Sequence, residues 1–140
     1  MQLKIKKIHK DAILPRFAHP NDAGMDLFVP EDVTLKPGER KSVPIGIACE
    51  IPDGYAGIIY DKSSVSHKHG LKTFGVVIDA GYRGGIHVGI MNTSPNEYVF
   101  EKGHKIAQMI IQRVEHPEII EVLELSPAQR GERGFGSTGK

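Results

Sequence analysis

Four short stretches of this chain carry residue types at spacings that suit the handling of an anionic ligand. GVVIDAGYRGGIHVGIMN, residues 75–92, holds Asp79 and Tyr82 in a DAGYRGG turn between two strand-like runs and reads as a β-hairpin. A carboxylate at a hairpin mouth can orient a water, and an aromatic ring there can cover a ligand. The same residues are also ordinary turn formers and packing groups. YDKSSVSHKHGL, residues 60–71, follows a strand-like GIIY. Its Lys62, Ser63 and Ser64 bring one cation and two hydroxyls to a strand-to-turn junction, which equips an anion site and equally describes a capped helical turn. In AGMDLFVP, residues 23–30, Asp26 lies inside an apolar strand pattern after Gly24, where it either binds local backbone amides at a bulge or serves a site. In FEKGHKIAQMIIQR, residues 100–113, Gln108 sits among apolar neighbours, and a buried amide needs partners in backbone or ligand.

The end of the chain, RGERGFGSTGK, satisfies GxGxxG through Gly134, Gly136 and Gly139, and the first seven positions of GxxxxGK[ST] through Gly134 to Lys140. Both motifs bind phosphate at the start of a helix, and no helix follows here, so neither mechanism operates as written. His67 and His69 have no accompanying cysteine or clear third ligand and read as surface histidines rather than a zinc site. A nucleophile at Ser63 or Ser64 would need a base held by a third group, for which no spacing in the sequence speaks.

The elements that must position these residues are short. Apolar residues recur with period two or in brief runs (LKIKKI, MDLFV, VPIGIACEI, YAGIIY, FGVVI, GIHVGIMN, YVF, KIAQMIIQRV), bounded by Gly, Pro, Asn or Asp. That pattern predicts an all-β domain, a jelly roll or distorted barrel. The one helical candidate is SSVSHKHG, with Ser63 as a possible N-cap and Gly70 as its stop. Hydrophobic periodicity ends near Pro127, which divides the chain into one domain, residues 1–127, and a flexible C-terminal arm, residues 128–140.

The 140 residues suit one domain, and 18 Lys and Arg against 17 Asp and Glu leave a net charge of +1. No bulk charge favours nucleic acid or a membrane surface, so any anion site is local. A single cysteine, Cys49, excludes an intramolecular disulfide and a cysteine-rich zinc site, and fits a reducing, cytoplasmic setting. No stretch approaches the roughly 18 apolar residues of a membrane span.

Taken in series, AGMDL, the KSS turn, GVVIDAGYRG, GHKIAQMI and RGERGFGSTG resemble the five motifs of the trimeric dUTP diphosphatases, the dUTPases. The resemblance covers essentially the whole chain. It implies a β jelly roll, a homotrimer with active sites shared between subunits, and Mg²⁺-dependent hydrolysis of dUTP to dUMP and diphosphate. By the same resemblance Asp79 would hold the water that attacks the α-phosphorus. An aspartate is a weak base at neutral pH, so positioning that water should matter as much as deprotonating it. Tyr82 would lie against the deoxyribose and refuse a 2′-hydroxyl. The hairpin backbone around residues 75–88, including Val76 and Ile78, would read the uracil edge and leave no space for a 5-methyl group. Lys62, Ser63, Ser64 and Gln108 would bind phosphate oxygens. Mg²⁺ would be held mainly by the triphosphate, with Asp26 helping to arrange its water shell. The tail would close as a lid, Phe135 stacking on uracil while Arg130, Gly136, Ser137 and Thr138, with Arg133, meet the phosphates. Eleven extended residues span up to roughly 36–40 Å, against a radius of gyration of about 14 Å, so the arm can reach a neighbouring subunit.

The chain departs from the family pattern in places. Asp61 and Lys62 stand where the second motif usually has Pro-Arg, and lysine lacks the planar fork of arginine. The stretch GLKTFGVVID is short and lacks a common asparagine, and Arg133 replaces a usual glycine. Two alternatives are a dCTP deaminase, which shares the fold and works without zinc, and a nucleotide-binding sensor without turnover. A deaminase needs a catalytic glutamate at the position of Gly89, and the strand GGIHVGIMN has no acid. A sensor could dispense with Asp79 or the tail, and both are present.

Overall fold

Brief apolar runs punctuated by turn residues cannot grow into long elements. The computed structural model, which describes residues 1–128 and Gly131, turns them into short strands and one helix. In chain order these are β1 (Lys4–Lys7), β2 (Met25–Phe28), β3 (Val33–Leu35), β4 (Arg40–Pro44), β5 (Ile47–Glu50), β6 (Tyr55–Asp61), α1 (Ser63–His69), β7 (Leu71–Thr73), β8 (Val76–Ile78), β9 (His87–Asn92), β10 (Tyr98–Phe100) and β11 (Lys105–Arg113). VPIGIACEI splits between β4 and β5 at Gly46, whose φ of 73° suits glycine and where a Cβ would lie 2.7 Å from that of His9. Strands β3 and β7 were not among the predicted runs. At three residues each they are too short to show a period, and each exists through its partner, β10 and β9 respectively.

The strands form a β jelly roll. One sheet has the order β2-β11-β6-β8 and another β4-β9-β7, with the antiparallel pairs β1-β5 and β3-β10 beside them. The inner faces meet in one core that includes Leu27, Ile45, Ile59, Ile90, Phe100 and Met109, each at most 1% exposed. Asn92 is buried in this core with its amide satisfied. Its Nδ2 donates to the Leu35 and Asn96 carbonyls at 3.0 and 2.8 Å, and its Oδ1 accepts from the backbone N–H and hydroxyl of Ser94. Among the described residues no helix is long and apolar enough to cross a membrane.

Two local expectations change. The N-cap of α1 is Lys62, in extended conformation and without a side-chain cap, and Ser63 is the first helical residue. The Lys62 carbonyl accepts the N–H groups of Val65 and Ser66 while its ammonium is drawn elsewhere. Gly70 ends the helix as expected, at φ 67°. The expected hairpin over residues 75–92 does not form: its two arms, β8 and β9, lie in different sheets, and the strand that pairs with β9 is the one just before them. Strand β7 pairs with β9 from Leu71 to Thr73, and the Phe74 N–H donates to Gly89 at 2.9 Å. The chain then leaves β9, and β8 joins β6 in the other sheet.

After β11 the Val114 N–H still donates to Gly54, at 2.9 Å. Residues 115–128 form no regular element, and Ile119, Leu123 and Leu125 are 95%, 104% and 87% exposed. Arg130, Arg133, Phe135, Gly136, Ser137 and Thr138 lie outside the described residues.

Candidate active site

The switch of β8 from one sheet to the other opens a mouth. A cavity of about 390 Å³ is lined by Val76 to Asp79, by Tyr82 and Gly85 of the following turn, and by Ser42, His87 and Gly89 of β4 and β9. Among the described residues no hydrogen bond links the backbone of 75–79 with that of 85–88; the Ile86 N–H and carbonyl are taken by Ile47 and Ile45, so a flat ligand between the two sides would meet the edge of β8 that faces away from β6 and the peptide groups flanking Ile86. The turn is held from within. The Tyr82 N–H donates to the Asp79 carbonyl at 3.0 Å, and the Tyr82 hydroxyl donates to the Gly85 carbonyl at 3.0 Å. The tyrosine ring lies across Gly84, where a Cβ would be 2.6 Å from the ring carbon Cζ. Arg83 folds back onto the carbonyls of Ala80 and Tyr82, at 2.5 and 2.9 Å. Asp79 is exposed, and among the described residues no donor holds its carboxylate, which leaves it free to orient a water.

A second cluster forms across β2, β11 and β6. Gln108 lies opposite Asp26 on one side and Tyr60 on the other, so the three side chains share a face. The Gln108 amide donates to the Asp61 carbonyl at 2.8 Å, which leaves its second N–H for a ligand. Gly24 makes room for it, since a Cβ there would be 2.6 Å from the Gln108 Oε1. Asp26 is 1% exposed, and its two oxygens face Lys62 Nζ at 2.6 Å and Lys105 Nζ at 2.7 Å. Burial pushes the Asp26 pKa up, but the contacts with Lys105 and then Lys62 outweigh it and hold the carboxyl below its ordinary value. One carboxylate against two ammonium groups leaves a surplus positive charge beside Gln108 and the exposed Ser63 and Ser64.

Asp61 does not join this cluster. Its carboxylate accepts the backbone N–H and hydroxyl of Thr73 at 2.7 and 2.5 Å and pairs with Lys72. The negative charge that replaces the usual proline is thus neutralised on the β7 side. Among the described residues no group of three or more His, Cys, Asp or Glu is placed to hold a metal.

The two clusters lie toward opposite ends of the same sheet. Ile78 pairs with Gly57 near the start of β6, and Lys62 follows its end, five residues further on, or about 16 Å at ~3.3 Å per residue. Asp79 continues away from Lys62. Lys105, Ser42 and the side chain of His87 join the predicted residues at these two clusters. The alternation in GIHVGIMN, which buries Val88, Ile90 and Asn92, already put His87 and Gly89 on the other face of β9; nothing local marked Ser42 or Lys105.

A jelly roll with an edge-reading mouth and a cationic, amide-bearing cluster defines a protein equipped for a nucleoside carrying phosphates. Comparison with known proteins agrees. The sequence model of the dUTPase family matches residues 10–139. The deoxyuridine 5′-triphosphate nucleotidohydrolase of Thermobifida fusca (strain YX) is 49% identical over 142 residues, covering 99% of this chain and 79% of the relative. A mutant Staphylococcus bacteriophage 80alpha dUTPase solved with dUpNHpp superposes with a TM-score of 0.94 at 34% identity, covering 99% of each chain. A mutant dUTPase from phage phi11 of S. aureus, described for its coordination of a structural Mg(II) ion, gives a TM-score of 0.83 at 29% identity, covering 89% of this chain and 98% of that one. The chain belongs to the dUTPase family.

Proposed function

We propose that this chain hydrolyses dUTP to dUMP and diphosphate as a homotrimer in which each active site joins the mouth of one subunit to the phosphate cluster of a neighbour. The observation that carries the shared site is the separation of Asp79 from Lys62 along β6. A water held by Asp79 must approach the α-phosphorus to within about 3–3.5 Å. The remaining phosphates of the same nucleotide then lie far short of the Lys62 and Gln108 of that chain. The exposed apolar residues Ile119, Leu123 and Leu125, close together in one segment, add support, because their burial against a neighbouring subunit would remove apolar surface from water.

In this reading the uracil edge enters the mouth between Val76–Ile78 and residues 85–88, and Tyr82 covers the sugar where a 2′-hydroxyl would stand. Asp79 orients the water and accepts a proton from it as the water oxygen bonds to the α-phosphorus, the bond to the bridging oxygen breaks and diphosphate departs. Gln108, Ser63, Ser64 and Lys62 of the neighbour hold phosphate oxygens. Arg130, Phe135, Gly136, Ser137 and Thr138, with Arg133, complete the site as the family's fifth motif. Mg²⁺ would be held by the substrate's phosphate oxygens and by water as its ligands, the arrangement that ion favours. It would neutralise phosphate charge. The residues fit that role and no all-protein cage, since Asp26 faces two ammonium groups and among the described residues no carboxylate cluster exists. A reducing cytoplasmic setting is consistent with the free, buried Cys49. The mouth gives no support to deamination. Gly89 stands where the acid would be needed, and a Cβ there would be 3.3 Å from the Phe74 ring.

Two measurements test the proposal. With a panel of nucleotides and Mg²⁺, dUTP should release diphosphate and dUMP far faster than dCTP, dTTP or UTP, and Asp79→Asn should abolish turnover while binding persists. Co-refolding Asp79→Asn with a variant whose whole cluster is removed and which is itself inactive (Lys62→Met, Ser63→Ala, Ser64→Ala, Gln108→Ala) should then restore about a quarter of wild-type activity, because a shared site pairs an intact mouth with an intact cluster in about one subunit junction in four. No recovery from a mixture that forms mixed trimers would place the whole site in one subunit.

A further inference from the structure

Lys105 has no assigned role, yet its placement requires a departure from regular sheet geometry. Along β11 and β2, Met109 pairs with Met25, Gln108 with Asp26 and Ala107 with Leu27. Continued without a break, that register would set Lys105 opposite Val29 and turn its side chain to the face away from Asp26 and Gln108. The register shifts by one residue between Lys105 and Ala107, and Lys105 pairs with Phe28 instead. Phe28 and Asp26 are two residues apart on one strand and share a face, so the irregularity re-aims the Lys105 ammonium onto Asp26, 2.7 Å from Oδ2. The opposite oxygen is met by Lys62 at 2.6 Å. A buried carboxylate needs one good counter-charge, and this one has two.

We propose that Lys105 is a positioning residue: by keeping Asp26 neutralised it frees Lys62 to leave that carboxylate and turn its ammonium onto a phosphate oxygen of the nucleotide. The inference rests on the phosphate cluster described under the proposed function. Lysine at position 62 makes the arrangement necessary. An arginine could hold a carboxylate with one edge of its fork and a phosphate with another, whereas a single ammonium bound to Asp26 has to be released. The division of labour follows from anchoring. Lys62 precedes Ser63 and Ser64, and its carbonyl holds the first turn of α1, so its side chain swings from a fixed point beside the hydroxyls. Lys105 stays on Asp26.

The test combines dUTP kinetics with direct binding of inorganic diphosphate to the full chain, with thermal midpoints recorded for every variant. Lys105→Met leaves Asp26 to Lys62 alone. The KM for dUTP and the Kd for diphosphate should each rise about tenfold, the usual effect of one lost charge-assisted contact, with kcat changed far less. Lys105→Arg should restore both. Adding Lys62→Met to Lys105→Met should weaken diphosphate little further, because Lys62 is already sequestered. If Lys105→Met does not fold, the Asp26→Asn, Lys105→Met double variant removes the buried charge and releases Lys62, and should bind diphosphate as tightly as Asp26→Asn alone. Unchanged KM and Kd in folded Lys105→Met, or full additivity of the two lysine substitutions, would overturn the proposal. So would a double variant that binds diphosphate about tenfold more weakly than Asp26→Asn. Wild-type protein that binds diphosphate but does not turn over dUTP would defeat the dUTPase reading and leave this comparison intact.

Discussion

The carboxylate of Asp61 accepts both the backbone N–H and the hydroxyl of Thr73, at 2.7 and 2.5 Å, and so ties the end of β6 to β7. Thr73 is 6% exposed, so its polar groups depend on that carboxylate. Asp61→Ala should lower unfolding stability by about 1–3 kcal/mol, the range for leaving a buried donor unmet. Denaturant unfolding measures this. A loss of dUTP turnover at unchanged stability would instead put Asp61 in the site.

Gly24 and Gly57 separate a functional glycine from a structural one. At Gly24 a methyl group would meet the flexible end of Gln108, 2.6 Å from Oε1. Gly24→Ala should displace the amide and raise the KM for dUTP by about 3- to 10-fold, one hydrogen bond's worth, with little change in stability. At Gly57 the methyl would lie 2.8 Å from Ile51 Cδ1 and 3.0 Å from Met109 Sδ, inside the core. Gly57→Ala should therefore destabilise by about 1–3 kcal/mol through overpacking. Thermal melts beside steady-state kinetics distinguish the two.

Tyr82 is fixed over Gly84 by its bond to the Gly85 carbonyl. Its removal should act on discrimination more than on folding. Tyr82→Ala should reduce the dUTP to UTP ratio of kcat/KM by at least about tenfold, since a packed ring rejects an added hydroxyl by shape. An unchanged ratio would move the sugar elsewhere in the mouth.

Acid should unfold the protein partly through Asp26 and Asp61. Burial raises both pKa values, but Lys105 and Lys62 at Asp26, and Lys72 and Thr73 at Asp61, bring each below the ordinary value. The folded state thus binds these protons more weakly than the unfolded chain. Their stabilisation is complete above the unfolded pKa of about 3.9 and is lost as pH falls through it toward the folded values. Thermal midpoints should decline as pH falls below about 4. Folded Asp26→Asn should show a shallower decline.

Ending the chain at Ala128 removes the fifth motif together with Phe135 and its neighbouring arginines. Turnover of dUTP should fall by at least about a hundredfold, the scale of losing several transition-state contacts, with the thermal midpoint preserved. Full activity in the shortened chain would deny the motif its role.

How much of this was legible beforehand depends on the distance over which each signal acts. Period-two runs, turn residues and Gly70 as a helix stop are local, and they gave the all-β class, most strands and the end of α1. The order of the five motifs likewise lies in the sequence and suffices for the family. What links residues far apart in the chain did not. A one-residue shift in β11 decided that Lys105 meets Asp26, and the proximity of Thr73 turned the Asp61 carboxylate toward β7 and away from Lys62. The departure of β8 for another sheet opened the mouth. Each is a choice among partners available only once the sheets are assembled. A residue's type and spacing therefore determined what chemistry the chain carries, while pairing register decided which of those groups lie together, because the partners of each strand exist only once the sheets are assembled.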